Sequence, residues 1–159
     1  MFEVSSEELI LWIQNINIQE EDRDSLYLLI DLLGGISRSE INSFKIKPQK
    51  IVNMKASLDS LRKSWEEFIH YKIPIQYLSS SCYWRDLTLE VNNHVLIPRV
   101  ETEQITDIAL NLISDSTKEV LITDLGTGSG AIAISLALKS SLWTVLATDI
   151  EQNAVNLAS

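Results

Sequence analysis

Cysteine is all but missing from this 159-residue chain, with Cys82 as its only one. An internal disulfide is therefore excluded, which fits a reducing compartment. A catalytic thiol needs a base beside it and no motif supplies one, so Cys82 reads as a small apolar strand residue. No apolar run approaches the ~18 residues of a membrane span. The first residues, "MFEVSSEELI", are acidic where a signal peptide would be basic, so a cytoplasmic protein without a membrane partner is expected. Basic side chains are scarce as well: 13 Lys and Arg stand against 22 Asp and Glu, a net charge of −9. Grip on a phosphate backbone rests on clustered Lys and Arg, so nucleic acid is not an expected direct partner. His70 and His94 have no companions at metal-ligand spacing, and no metal site is expected.

What is present describes an ordinary globular chain, 45% hydrophobic and 22% charged. Residues 1–75 carry nine basic and twelve acidic side chains, and residues 76–159 four and ten. The nearly balanced front portion suits a protein partner better than a polyanion. It reads as helices throughout. "SSEELILWIQNI" opens on a cap candidate, Ser6, and sets Leu9, Trp12, Ile13 and Ile16 at helical spacing. "RDSLYLLIDLLGG" places Leu26, Leu29, Ile30 and Leu33 on one face and stops at Gly34-Gly35. "SRSEINSF" predicts a short third helix, and "ASLDSLRKSWEEFIHYK" a long fourth with Leu58, Leu61, Trp65 and Phe68 as its apolar stripe. After Pro74 the texture changes: "CYWRDLTLEV" alternates toward an "NN" turn signal, predicting a hairpin or short strand pair. "ETEQITDIALNLIS" returns to helix with Ile105, Ile108, Ala109 and Leu112 on one face. Then come a β-branched run "EVLITD", a glycine loop, the helix "SGAIAISLALKS", a second buried run "LWTVLATD" and the start of another helix, "EQNAVNLAS". That order is the βαβ unit of a parallel, doubly wound sheet. The four tryptophans fall at apolar positions and read as core.

Of the five glycines, three stand in "DLGTGSGA": Gly126, Gly128 and Gly130, directly behind Asp124. A glycine-rich turn between a strand and a helix lets backbone approach a ligand and aims N–H groups at its polar atoms. Asp149 follows Gly130 by nineteen residues, at the end of the second strand, where a carboxylate can accept hydrogen bonds from the two hydroxyls of a ribose. Loop and acid together describe an adenosine site, although glycines in such a turn also serve packing alone. "GTGSGA" formally fits the dinucleotide pattern, which keeps an NAD-dependent oxidoreductase as a rival. Asp124 discriminates, because a carboxylate is unhelpful beside an anionic pyrophosphate. S-adenosylmethionine carries no phosphate and presents a sulfonium and an ammonium, which an acidic, glycine-lined cleft suits.

These residues resemble the HemK/PrmC family, the release-factor glutamine N(5)-methyltransferases. "DLGTGSGAIAISLA" is close to that family's cofactor loop, and "HVLIPRVETEQ" at 94–104 is similar to its V-L-I-P-R-P-E-T-E segment, which is the more specific of the two. "LLGGISRSE" at 32–40 and "IPIQYL" at 73–78 also match in place, so the likeness covers nearly the whole chain. The resemblance implies an N-terminal α-helical bundle at 1–75 that recognises a class I peptide chain release factor, a linker with a β hairpin at 76–98, and a partial α/β Rossmann-like methyltransferase domain at 99–159. It implies transfer of a methyl group from S-adenosylmethionine to the glutamine of the Gly-Gly-Gln tip of that factor. Carried over by position, the cofactor contacts are Asp124, Gly126, Thr127, Gly128, Ser129, Gly130 and Asp149, with Arg99, Glu101 and Thr102 beside the site. Acidic residues such as Glu101 and Glu103 at a first helical turn also simply favour its dipole. Val100 replaces the family's second proline, and "LSSSCYWRDL" lacks glycines usual around the hairpin. The Asn-Pro-Pro-Tyr segment that the family aims at the substrate amide has no counterpart in the 159 residues, so no catalytic residue is expected here. A truncated chain is the expectation, with a catalytically inactive release-factor-binding module as the alternative. A half-built sheet would also be expected to self-associate at its edges.

Overall fold

A computed structural model describes residues 1–113 and 117–159. The chain divides into two compact units, Met1–Ser79 and Ser80–Ser159.

The first unit holds β1 (Phe2–Val4), α1 (Ser6–Asn15), α2 (Arg23–Leu29), α3 (Arg38–Ile46), β2 (Val52–Met54), α4 (Leu58–Tyr71) and a single turn, α5 (Ile75–Leu78). Its helices begin where side-chain oxygens meet orphan N–H groups. Ser37 and Glu40 form a reciprocal capping box on α3, and Ser57 caps α4. On α1 the cap is Ser5, whose hydroxyl accepts from Glu8 N at 3.1 Å. The expected cap, Ser6, is instead fully buried and exchanges hydrogen bonds with the backbone of Gln49. An all-helical reading of this stretch also missed β1 and β2, which pair antiparallel with Phe2 opposite Met54 and Val4 opposite Val52. Three-residue strands leave too short an alternation to be legible. Beyond Leu29 the helix widens into a π-helical turn, Ile30–Gly34, which ends at Gly35 in left-handed geometry (φ 73°). The extra residue rotates the apolar face, so Leu32 is buried as well, while the expected Leu33 is half-buried against the core. Leu9, Leu26, Leu29, Ile30, Ile41 and Leu61 form the floor of one continuous core, each with no exposed surface.

The second unit contains β3 (Ser81–Trp84) and β4 (Leu87–Glu90), α6 (Glu103–Leu112), β5 (Val120–Leu125), α7 (Ala131–Ala137), β6 (Trp143–Thr148) and α8 (Gln152–Ala158). The predicted hairpin forms, with Cys82 opposite Leu89. Two ordinary residues at the hairpin take left-handed backbone, Ser80 (φ 52°) and Arg85 (φ 53°). Arg85 is braced there by an ion pair to Asp107 at 2.8 Å. Cys82 is buried, which pushes its thiol up from the ordinary value. Trp84 of the hairpin packs on Ala131 of α7 and donates its indole N–H to Ser135 Oγ at 2.9 Å. Strands β5 and β6 are parallel, in register from Val120 opposite Trp143 to Leu125 opposite Thr148, with α7 in the connection.

The apolar face expected for α6 is not covered by the described residues. Ile105, Ile108 and Leu112, expected together on one face, are 53%, 58% and 80% exposed, whereas Thr106 is buried. The helix packs against α7, and the described residues offer no surface to its apolar stripe. Its expected last residue, Ser114, lies outside the described residues. One face of the β5–β6 sheet is similarly open, with Leu121 and Leu125 largely exposed. All four tryptophans are buried. Among the described residues no helix is long and apolar enough to cross a membrane.

Candidate cofactor-binding site

The glycine loop sits between the end of β5 and the first turn of α7. Gly126, Gly128 and Gly130 all have left-handed backbone, with φ of 78°, 55° and 78°. They differ in their surroundings. A Cβ on Gly130 would lie 2.9 Å from Ile134 Cδ1 and 3.1 Å from Ala158 Cβ, so packing and left-handed backbone together account for this glycine. A Cβ on Gly126 or Gly128 would meet no protein atom within 4 Å. There the open side of the backbone is what a side chain would fill, as an approaching ligand requires.

Both strand ends tie the loop down. Gly126 N and Thr127 N donate to the Thr148 carbonyl, at 2.8 and 2.9 Å, and Gly130 N donates to the Thr127 carbonyl at 2.9 Å. Thr127 Oγ1 donates to Asp124 Oδ2 at 2.8 Å. Gly128 N donates to Asp149 Oδ2 at 2.9 Å, and Glu151 N to Asp149 Oδ1 at 3.0 Å. These backbone donors, Glu151 first and Gly128 second, hold the Asp149 carboxyl below its ordinary value. Each Asp149 oxygen thus takes one N–H bond and keeps capacity to accept another.

The structure therefore gathers the sequence-predicted loop residues and Asp149 into one place. Thr127 and Ser129 are buried in it. Arg99, Glu101 and Thr102 form a separate 3₁₀ turn ahead of α6, with Thr102 N on the Arg99 carbonyl at 2.8 Å. No hydrogen bond or ion pair among the described residues joins their side chains to the loop. Glu103 works elsewhere: its Oε1 accepts from Arg85 N at 3.4 Å. Sequence reading missed Thr148, because its contribution is a main-chain carbonyl. It missed Ser135 as well, although a tryptophan bound for a core signals that some partner must meet its N–H.

From Leu121 to Leu138 the chain has no Lys or Arg, while carboxylates stand at Asp124 and Asp149. Such a donor set fits a cationic, phosphate-free adenosine cofactor and disfavours a pyrophosphate. No protein-family model matches the chain. Among curated proteins, it is 37% identical over 155 residues to the release factor glutamine methyltransferase of Prochlorococcus marinus, covering 97% of this chain and 53% of that protein. It is 35% identical to that of Gloeobacter violaceus, over 89% and 47% of the two chains. To the Lactococcus lactis enzyme it is 45% identical over 57% of this chain and 33% of that one. The chain belongs to the release factor glutamine methyltransferase family. It spans about half the length of the first two relatives.

Proposed function

We propose that residues 124–130 with Asp149 bind S-adenosylmethionine, and that the protein methylates the Gly-Gly-Gln glutamine of a class I release factor in the cytoplasm. The observation that carries the cofactor reading is the open space beside left-handed Gly126 and Gly128, bracketed by the carboxylates of Asp124 and Asp149. Asp149 would accept the ribose hydroxyls with its remaining lone pairs. Asp124, oriented by Thr127, would add negative potential toward the methionine moiety. Arg99, Glu101 and Thr102 are proposed as neighbours of the site, on the resemblance alone.

The cofactor supplies an activated methyl group. An amide nitrogen is a poor nucleophile, so positioning and acceptors aimed at its NH2 must make up the difference. The acceptor segment implied by the resemblance has no counterpart among these 159 residues. This chain's part is to bind and orient the cofactor. The uncovered sheet face and the parallel β5–α7–β6 unit support reading residues 99–159 as the opening of a Rossmann-like methyltransferase domain. Residues 1–75 would be the release-factor-recognition portion, joined by a linker at 76–98.

Incubation of the protein with a class I release factor and methyl-labelled S-adenosylmethionine tests the reading. Label on the factor, absent when the tip glutamine is replaced by alanine, supports it. Release-factor binding without label transfer would identify the chain as a binding module.

A further inference from the structure

The glycine loop rests on side chains that it does not itself supply. Gly130 caps α7 without any side-chain hydrogen bond, so the first turn of that helix has to be held from elsewhere. The hairpin holds it. Trp84 of β3, 1% exposed, and Leu89 of β4 pack with Ala131, and Leu87 and Ile134 pack around them. Ile134 is also the side chain that a Cβ on Gly130 would strike at 2.9 Å. It therefore lies against both the hairpin cluster and the last glycine of the loop.

A directional bond is added to this packing. Trp84 Nε1 donates to Ser135 Oγ at 2.9 Å, and Ser135 Oγ donates to the Ala131 carbonyl at 2.7 Å. That path ends on the residue next to Gly130. From there the loop's own bonds continue, Gly130 N to the Thr127 carbonyl at 2.9 Å and Thr127 Oγ1 to Asp124 Oδ2 at 2.8 Å. The seven residues of α7 include no charged or aromatic side chain, and apolar contact alone would let so short a helix slide or turn. A satisfied hydrogen bond between packed groups selects one register.

The next residue fixes the hairpin to a second helix. Arg85, in left-handed backbone (φ 53°), pairs with Asp107 at 2.8 Å. Its N–H donates to Glu103 Oε1 and its guanidinium to the Glu103 carbonyl, both at 3.4 Å. A non-glycine residue keeps such backbone only where its surroundings over-determine it. Two consecutive residues thus grip α7, which follows the glycine loop, and α6, which follows the Arg99–Thr102 turn.

We propose that the hairpin is the positioning element of the cofactor loop, with Trp84 acting through Ser135 to set the first turn of α7 and so the open side of Gly126 and Gly128. Both are positioning residues, with no contact to the cofactor of their own. This rests on the reading of residues 124–130 and Asp149 as the cofactor site and adds the residues that shape it.

The test compares the full chain as wild type, as Ser135→Ala, as the double variant Trp84→Phe/Ser135→Ala, and as Thr88→Ala, a control on the exposed side of the hairpin. Isothermal titration reads the Kd of S-adenosylhomocysteine at a temperature where every variant is folded. Amide exchange without ligand compares Gly126, Thr127 and Gly128 with the β5–β6 ladder. The proposal expects Kd to rise at least threefold in Ser135→Ala and tenfold in the double variant, and less than twofold in the control. The loop amides should lose more protection than the ladder amides. Equal loss in loop and ladder would make Trp84 a core residue only and overturn the proposal. Affinity within twofold of wild type in the double variant would overturn it too, while sparing the cofactor reading. A wild type that binds no S-adenosylhomocysteine would sink the cofactor reading instead, and the ligand-free exchange would still decide whether the hairpin sets the loop. If the double variant does not fold, Ser135→Ala, which keeps the indole in place, decides by the same two readings.

Discussion

The two units spend their apolar residues differently. In Met1–Ser79, side chains from α1, α2, α3 and α4 and from both short strands meet in one core, and Leu9, Leu26, Leu29, Ile30, Ile41 and Leu61 are sealed from solvent. In Ser80–Ser159, Leu121 and Leu125 on the sheet and Ile108 and Leu112 on α6 face outward. Similar sequence texture thus gives a closed core in one unit and an open face in the other. Periodicity specifies which residues share a face; only a packed neighbour makes that face a core.

The largest expected effect sharpens this contrast. Leu61→Ala should cost about 2–5 kcal/mol, because it removes a fully buried side chain and leaves a cavity. Leu125→Ser, at a position 79% exposed, should stay within about 0.5 kcal/mol. Guanidinium unfolding followed by tryptophan fluorescence measures both, and equal losses would break the comparison. Next comes the loop. Gly130→Ala adds a clash with Ile134 and Ala158 to left-handed strain and should cost about 2–3 kcal/mol, whereas Gly128→Ala meets only the strain, about 1 kcal/mol. The same unfolding curves would show whether packing separates these glycines.

Ser80→Gly should have a smaller effect of opposite sign. It relieves a left-handed serine at the foot of the hairpin and should stabilise the second unit by about 0.5–1 kcal/mol in thermal or denaturant unfolding. The smallest effect concerns acid. The Asp149 carboxyl is held below its ordinary 3.8 in the folded chain by the Glu151 and Gly128 N–H groups. Its contribution is therefore complete above that value and is lost as pH falls from there through the folded pKa. The amide proton of Gly128 should lose exchange protection over the same acid range, and Asp149→Asn should flatten that dependence.

Much of this was readable from residue order, for identifiable reasons. Long amphipathic stretches such as Leu58–Tyr71 and the glycine loop between two β-branched runs carry their geometry locally. What escaped was settled by contacts distant in sequence. Ser6 left its cap role to meet Gln49, forty-three positions away, and the β1–β2 pairing joins the chain start to Val52–Met54. The π-helical turn shifted one register, and α6 buried Thr106 while its isoleucines stayed exposed. At the site, the loop residues and Asp149 were legible as types and spacing. Their mutual bonds were not, because Thr148 and Gly128 act through backbone groups that carry no side-chain signature.

Isothermal titration of S-adenosylhomocysteine into the full chain, with NADH as the parallel ligand, tests the central claim most directly. The account predicts one site for S-adenosylhomocysteine, weakened at least tenfold by Gly128→Val, which would fill the open side of the loop, and no heat with NADH. Saturable binding of NADH with none of S-adenosylhomocysteine would contradict it.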